Sequence, residues 1–289
     1  MTSLSAEFAP PPQEGNLRRL RRRRIRPGIV VAALVLAFLL VCGLWPSLVA
    51  PYDPYALDLL QSLKPPSWSH IFGTDQLGRD IFSRVVHGAS YSLYVGIGAT
   101  LIAVAVGIAI GLVSGVAGGL IDLAFMRVVD ILLAFPGLLM SMAVVAFLGT
   151  GITNVLLAIA IAAIPSYARI VRSQVLVIRN SGFVEAARIL GQSPTLTLFR
   201  HILPNTIGPL VVLSTLGIGS AILHSASLSY LGLGPKAPTP EWGLMLSEGQ
   251  SYLKAAWWIG VFPGVFATLA IVSTTVLGRY IKAYSEGRA

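Results

Sequence analysis

Six long stretches of apolar residues alternate with polar segments along the chain. They cover residues 28–50, 92–117, 128–148, 152–171, 207–231 and 257–277. Each is about as long as a helix must be to cross roughly 30 Å of hydrocarbon at about 1.5 Å per residue. The pattern therefore predicts six membrane-spanning helices, and an all-α, polytopic membrane protein whose two termini lie on the same side.

The composition agrees with this pattern and excludes other classes of protein. Hydrophobic residues make up 55% of the 289 residues and charged residues only 11%, which does not fit a water-soluble surface. Intrinsic disorder is excluded as well, because the 29 glycines and 18 prolines are scattered among apolar runs. The single cysteine, Cys42, rules out an intrachain disulfide and a cysteine-based zinc site made by this chain alone.

The positive charge is concentrated directly before the first apolar stretch, where seven arginines lie between residues 18 and 26. Basic residues are enriched at the cytoplasmic ends of membrane spans, so we interpret this cluster as an orientation signal and do not expect nucleic acid as a partner. A signal peptide starts in a similar way, but its apolar core has only about 7–15 residues. A retained anchor at 28–50 is therefore favoured.

These patterns predict the organisation of the whole chain. The expected parts are a cytoplasmic basic tail at 1–27, a first span at 28–50, an extracytoplasmic segment at 51–91, a five-helix core at 92–278 with a cytoplasmic loop at 172–206, and a cytoplasmic tail at 279–289. Trp242, Trp257 and Trp258 fall near outer ends of spans, as interfacial aromatic residues do. The polar stretches 51–91 and 172–206 are too long for simple turns, so we expect function there.

The inner polar stretch carries a regular set of residues. Residues 183–190 predict a short amphipathic helix, Gly191 permits the left-handed backbone of a helix stop, and Ser193-Pro194 begins a second helix. Pro204 is expected to end that second helix or to bend it into the fifth span. The residues that define the spacing are Glu185, Ala186, Ala187, Gly191, Leu203 and Pro204.

This spacing resembles the signature of ABC-importer permeases, in which Glu-Ala-Ala and Gly are followed by Ile-x-Leu-Pro. His201 stands in the place of that isoleucine, and the run His-Ile-Leu-Pro-Asn is similar to the peptide-importer variant. The outer run Phe72-Gly-Thr-Asp-Gln-Leu-Gly-Arg-Asp80 is similar to the segment before the second span in the C-type permease subunit of oligopeptide, dipeptide and nickel importers. Further similar runs lie at 127–136, 229–234 and 238–243, so the resemblance covers about residues 28–278.

The resemblance implies a type I ABC importer permease fold in a bacterial inner membrane. The chain would form half of a translocation pathway for oligopeptides or dipeptides, with nickel or another small solute as the alternative substrate. The implied partners are a second homologous permease, two cytoplasmic ABC ATPase subunits or domains that bind ATP and Mg, an extracytoplasmic peptide-binding protein and membrane lipid. In such a complex Glu185 would brace the inner loop, Gly191 would supply its bend and Pro204 would transmit displacement into the fifth span.

Two further groups of residues are candidates for packing or docking. Four glycines at every fourth position predict close packing of the second span against another helix. They are Gly107, Gly111, Gly115 and Gly119. Asp75 and Arg79, followed by Asp80, have the i,i+4 spacing of a helical ion pair, which contributes only about 0.3–0.5 kcal/mol when exposed. We therefore expect this outer group to contribute to docking and to the shape of the protein, and not to catalysis.

A narrow polar stripe runs along the predicted fifth span. Ser220, His224 and Ser227 follow helical spacing together with Gly217. An ionisable group at membrane depth is a functional candidate, so one interpretation is that the stripe lines the translocation pathway. The alternative is a neutral histidine that is hydrogen-bonded to a neighbouring helix.

Sequence features of other transport and enzyme classes are missing. No Gly-Lys dipeptide occurs, which excludes a P-loop, so we expect ATP hydrolysis on partner subunits and no catalytic residue, cofactor or metal on this chain. Asp122 and Asp130 lie at a predicted cytoplasmic turn, and no acidic residue lies in mid-span, which disfavours a proton-coupled carrier or channel. That alternative predicts a flux that survives the loss of every ATPase partner.

Overall fold

The structure is a computed structural model that describes residues 27–285. The arginine cluster at 18–26 and the last part of the predicted cytoplasmic tail, 286–289, lie outside the described residues. In the described part, every regular element is helical. The α-helices are α1 Pro27–Leu44, α2 Pro46–Val49, α3 Ile81–Ala117, α4 Gly119–Leu133, α5 Gly137–Leu148, α6 Ile152–Arg179, α7 Gly182–Ile189, α8 Pro194–Thr197, α9 Leu203–Tyr230, α10 Trp242–Gln250 and α11 Trp258–Ser285.

Within residues 27–285, five helical stretches are long and apolar enough to cross a membrane. They are Pro27–Leu44, Ile81–Ala117, Ile152–Arg179, Pro194–Tyr230 and Trp258–Tyr284. Helices α4 and α5 give a sixth candidate if the two, which are bent by 93° relative to each other, count as one span. The predicted all-α membrane fold is thus confirmed, with five candidate spans and one bent helix pair among the described residues.

The bend lies inside the predicted third span, 128–148. Helix α4 ends at Leu133, and α5 begins at Gly137 directly after Pro136. Proline has no N–H and disfavours the helical conformation of the residue before it, and Pro136 itself is extended, with φ −57° and ψ 130°. The apolar run is therefore continuous in sequence but interrupted as a helix.

Helix α3 begins within the segment that the sequence assigned to the outside. The Asp80 carboxylate accepts a hydrogen bond from the backbone N–H of Ser83 at 2.7 Å and so caps the helix at Ile81. The helix has 37 residues, more than a bilayer core of about 30 Å requires. Its first turns therefore pack with the irregular chain from Pro51 to Asp80 in a folded layer, which we call the outer layer after its predicted orientation.

Helix α3 occupies the centre of the fold, where it packs along α6 and α9, while α11 packs against α9 and α1. Gly107, Gly111 and Gly115 of α3 face Tyr167, Val171 and Val175 of α6 respectively. At these three positions an added Cβ would lie 2.5–2.7 Å from side-chain atoms of α6, so the small residues permit the close approach. Gly119 does not belong to this set: it begins α4 with φ +54° and has open space around it.

Candidate functional site

The short helix of the inner loop ends in a glycine-dependent turn. Gly191 has φ +78°, its N–H donates to the Arg188 carbonyl, and the N–H of Gln192 donates to the Ala187 carbonyl, each at 3.0 Å. These two bonds form a Schellman motif, which satisfies helix carbonyls that otherwise lack partners. The predicted bend at Gly191 therefore lies at the end of α7.

Helix α7 has one buried and one exposed face. Val184 and Ala187 are buried, whereas Glu185 and Ala186 are exposed. Apolar side chains on the loop are exposed as well: Phe183 is 49%, Ile189 79% and Leu190 86% exposed. Ala187 thus anchors α7 to the protein, and the exposed face combines apolar side chains with the Glu185 carboxylate and the Arg188 guanidinium.

Pro204 does not end the second helix of the loop. Ser193 caps α8 by accepting a hydrogen bond from the backbone N–H of Leu196, and α8 continues through a π-helical turn, Leu198–Ile202, into α9. A proline ring crowds the carbonyl four residues earlier, and the widened π turn accommodates it, with the Leu203 N–H donating to the Leu198 carbonyl. The loop is therefore joined to the fifth predicted span by uninterrupted helical backbone, and half-buried Leu203 lies at this junction.

The Asp75–Arg79 pair forms, but not on a helix and not at the surface. The segment is a tight turn closed by an antiparallel bridge between Thr74 and Asp80. Arg79 Nε donates to Asp75 Oδ2 at 2.6 Å, and both side chains are almost completely buried. The expected weak exposed pair is therefore a buried pair, for which the loss of hydration must be offset by close geometry.

Two charged residues that the sequence analysis did not single out complete this outer cluster. Arg84 is buried on α3, where it donates to the carbonyls of Pro54 and Pro238 and lies 3.6 Å from Asp75. Glu248 of α10 lies 3.8 Å from both Arg79 and Arg84. The cluster ties the outer segment to α3 and α10, and Asp80 adds a contact to His70 Nδ1 at 3.0 Å.

Two of the tryptophans predicted to lie at the membrane interface are buried in the same layer. Trp242 Nε1 donates to the Val85 carbonyl at 2.8 Å, and Trp258 Nε1 donates to the Thr74 carbonyl at 3.0 Å. Both side chains are buried inside the protein, so neither belongs to a lipid-facing aromatic belt. Trp257 is 49% exposed.

Glu241 is a buried carboxyl group in the chain between α9 and α10. Its Oε2 accepts a hydrogen bond from the Leu244 N–H at 2.8 Å and so caps α10. Burial raises the pKa of this carboxyl above its usual value, because the charged form loses its hydration. Its location in the outer layer makes it a structural cap.

A half-open cavity of about 310 Å³ lies between α3, α5, α6 and α9. Gly217, Ser220 and His224 of the predicted polar stripe line it, whereas Ser227 does not and donates instead to the Leu223 carbonyl. Its other polar side chains were not identified from the sequence, because they come from other helices. They are Thr100, Ser166 and Tyr167. Among the described residues, no Asp, Glu, Lys or Arg lines this cavity.

The two acidic residues at the predicted cytoplasmic turn join α4 to α6. Arg172 donates through Nε and Nη2 to the two oxygens of Asp122, at 2.6 and 2.5 Å. Asp122 also accepts from Ser114, and Arg169 donates to Asp130. These carboxylates hold neighbouring helices together. Across the described residues, no group of three His, Cys, Asp or Glu side chains could hold a metal ion.

Comparisons with known proteins agree on one class. The sequence profile of the family described as binding-protein-dependent transport system inner membrane component matches residues 107–289. The glutathione transport system permease protein GsiD of Escherichia coli O157:H7 is 46% identical over 264 residues, which cover 90% of this chain and 86% of GsiD. GsiD of Shigella sonnei (strain Ss046) matches with the same identity and coverage.

Two solved structures share the fold. The inward-facing MetNI methionine ABC transporter aligns with a TM-score of 0.57 and 18% identity, covering 69% of this chain and 95% of the other. An amino acid ABC transporter with histidines aligns with a TM-score of 0.50 and 17% identity, covering 70% and 94%. These likenesses show a common helical architecture.

Proposed function

This chain belongs to the family of binding-protein-dependent transport system inner membrane components and is a permease component of an ABC importer; from this premise we propose that its cargo is a short peptide. The observation that carries the proposal is the 46% identity, over 90% of the chain, to a permease named for the transport of glutathione, which is a tripeptide. The chain would form half of a pathway for dipeptides or oligopeptides.

We propose that the complete importer contains a second homologous permease, two cytoplasmic ATPase subunits or domains and an extracytoplasmic peptide-binding protein. ATP and Mg would bind to the ATPases, and this chain would contribute no catalytic group. The arginine-rich start of the sequence supports a cytoplasmic N-terminus, and an even number of spans then returns the C-terminus to the same side.

We propose that the exposed face of α7 is the surface that contacts the ATPase. Exposed Phe183, Ile189 and Leu190 supply apolar area, and Glu185 supplies a charge that fixes orientation. Because α8, the π turn and α9 are continuous, movement that α7 transmits to α8 passes into α9, which lines the half-open cavity. A rigid-body displacement of this kind is what alternating access requires.

We propose that the half-open cavity between α3, α5, α6 and α9 is this chain's contribution to the pathway. Its polar groups are hydroxyls and one imidazole, which suit the amide N–H and C=O groups of a peptide. A nickel site would need several converging nitrogen, oxygen or sulfur ligands, and among the described residues that line the cavity only His224 carries an imidazole or thiol. Competition of labelled-peptide uptake by dipeptides, tripeptides, longer peptides and Ni²⁺ separates the two classes of substrate.

The coupling function is tested by changing the turn at Gly191. We expect Gly191→Leu to preserve membrane insertion and ATP hydrolysis but to lower uptake about five- to thirtyfold, because a left-handed backbone costs a side chain with a Cβ about 1–2 kcal/mol. The space around Gly191 is open, so the effect comes from the backbone and not from a clash. The measurement is peptide uptake per ATP hydrolysed in proteoliposomes that contain the whole importer.

Gly191→Asn is the matched control, because asparagine tolerates the left-handed conformation at little cost. It should keep most of the uptake. Normal uptake by the leucine variant, or an equal loss in both variants, would count against a role for this turn in coupling.

A further inference from the structure

We propose that His201 is a positioning residue that locks α7 to the beginning of α9. This inference rests on the proposed function and adds to it the link through which movement of the loop reaches the span. His201 Nε2 donates to Gln192 Oε1 at 3.0 Å, and its ring lies 6.2 Å, between centroids, from the ring of Phe183. One side chain thus contacts both the helix that faces the ATPase and the turn that follows it.

The π-helical turn places His201 for this role. An α-helix advances about 100° per residue, so one additional residue in a turn changes the direction in which the following side chains point. The carbonyl of His201 accepts from Asn205 Nδ2 at 2.6 Å, which fixes the turn to the first residues of α9. The imidazole therefore projects from backbone that is continuous with the span.

Helix α7 needs such a link. A helix of 8 residues is marginal on its own in water, and only Val184 and Ala187 of α7 are buried. Val184 shares an apolar cluster with Ile202, so α7 already rests against the π turn on one side. The His201–Gln192 bond adds a directional contact at the other end of α7, beyond Gly191. Together the two contacts prevent α7 from pivoting about the chain segments at its ends.

The test compares His201→Leu and His201→Gln in the reconstituted importer. Leucine removes the donor, and we expect uptake per ATP hydrolysed to fall about fivefold while complex assembly is unchanged. Glutamine carries a donor nitrogen about as far from the backbone as Nε2, so it should restore most of the ratio. Gln192→Leu should reproduce the loss, and the double variant with His201→Leu should be no worse than either single variant.

A second readout separates this inference from the proposed function. In the purified importer, amide hydrogen exchange over residues 182–192 should quicken about fivefold in His201→Leu and stay near the wild-type rate in His201→Gln. Wild-type exchange and a wild-type uptake ratio in the leucine variant, or additive effects in the double variant, would overturn the lock. If the unaltered importer shows no ATP-driven peptide uptake, the proposed function fails, and hydrogen exchange alone then decides about His201.

Discussion

Arg79→Met is expected to lower the stability of the folded chain by about 3 kcal/mol, because it leaves a buried carboxylate without its closest cation. Asp75 would keep a hydrogen bond from the backbone N–H of Leu77 at 2.9 Å and the more distant guanidinium of Arg84 at 3.6 Å. Those contacts place the expected loss at the lower end of the range for breaking a buried ion pair. The measurement is thermal unfolding of the purified chain in detergent.

Two variants make this prediction specific. Arg169→Met removes the cation of the Arg169–Asp130 pair, whose side chains are 51% and 57% exposed, and should cost at most about 1 kcal/mol. Asp75→Asn combined with Arg79→Met removes the uncompensated charge and should recover part of the loss. Equal unfolding temperatures for Arg79→Met and Arg169→Met would show that the outer cluster does not stabilise the fold.

Gly111→Leu is expected to prevent α3 and α6 from packing. An added Cβ at this position would lie 2.5 Å from Val171 Cβ and 2.6 Å from the Ala168 carbonyl oxygen. The backbone oxygen cannot turn away as a flexible side chain could, so the helices must separate. Overpacking of this kind costs about 1–3 kcal/mol, and this position should lie at the upper end of that range.

Ala109→Leu is the matched control, because Ala109 lies on the same helix and is exposed. Both variants add the same apolar side chain to α3. We expect the Gly111 variant to lose most of its monodisperse fraction on gel filtration in mild detergent and the Ala109 variant to resemble the unaltered chain. A monodisperse, thermally stable Gly111→Leu protein would contradict the packing of α3 against α6.

Much of the fold could be predicted from the length of the apolar runs. A chain segment that crosses hydrocarbon must satisfy its backbone N–H and C=O groups internally, and a helix does this. The turn after α7 was also predictable, since Gly191 and Ser193-Pro194 act through local backbone geometry. The bend at Pro136 was not predicted, because the apolar run continues through the proline. A proline inside an apolar stretch can either kink a span or divide it, and tertiary packing decides between them.

The outer cluster shows where local reasoning fails. The i,i+4 spacing of Asp75 and Arg79 suggested a helical pair, whereas the two residues pair in a turn, and their burial depends on α10, more than 160 residues away in the sequence. Arg84 and Glu248 become partners only through this folding, so no local pattern marks them. The same holds for Thr100, Ser166 and Tyr167, which meet the His224 stripe only when α3 and α6 pack against α9.

The central claim is that this chain imports short peptides only as part of an ATP-driven complex. Its most direct test is to purify the tagged chain from its native membrane in mild detergent, identify its partners by mass spectrometry, and reconstitute the eluate for ATP-dependent peptide uptake. We predict a second permease and P-loop ATPases in the eluate, and uptake that requires ATP and the peptide-binding protein. A lone chain whose peptide flux continues without any ATPase would contradict the account and indicate a carrier or channel.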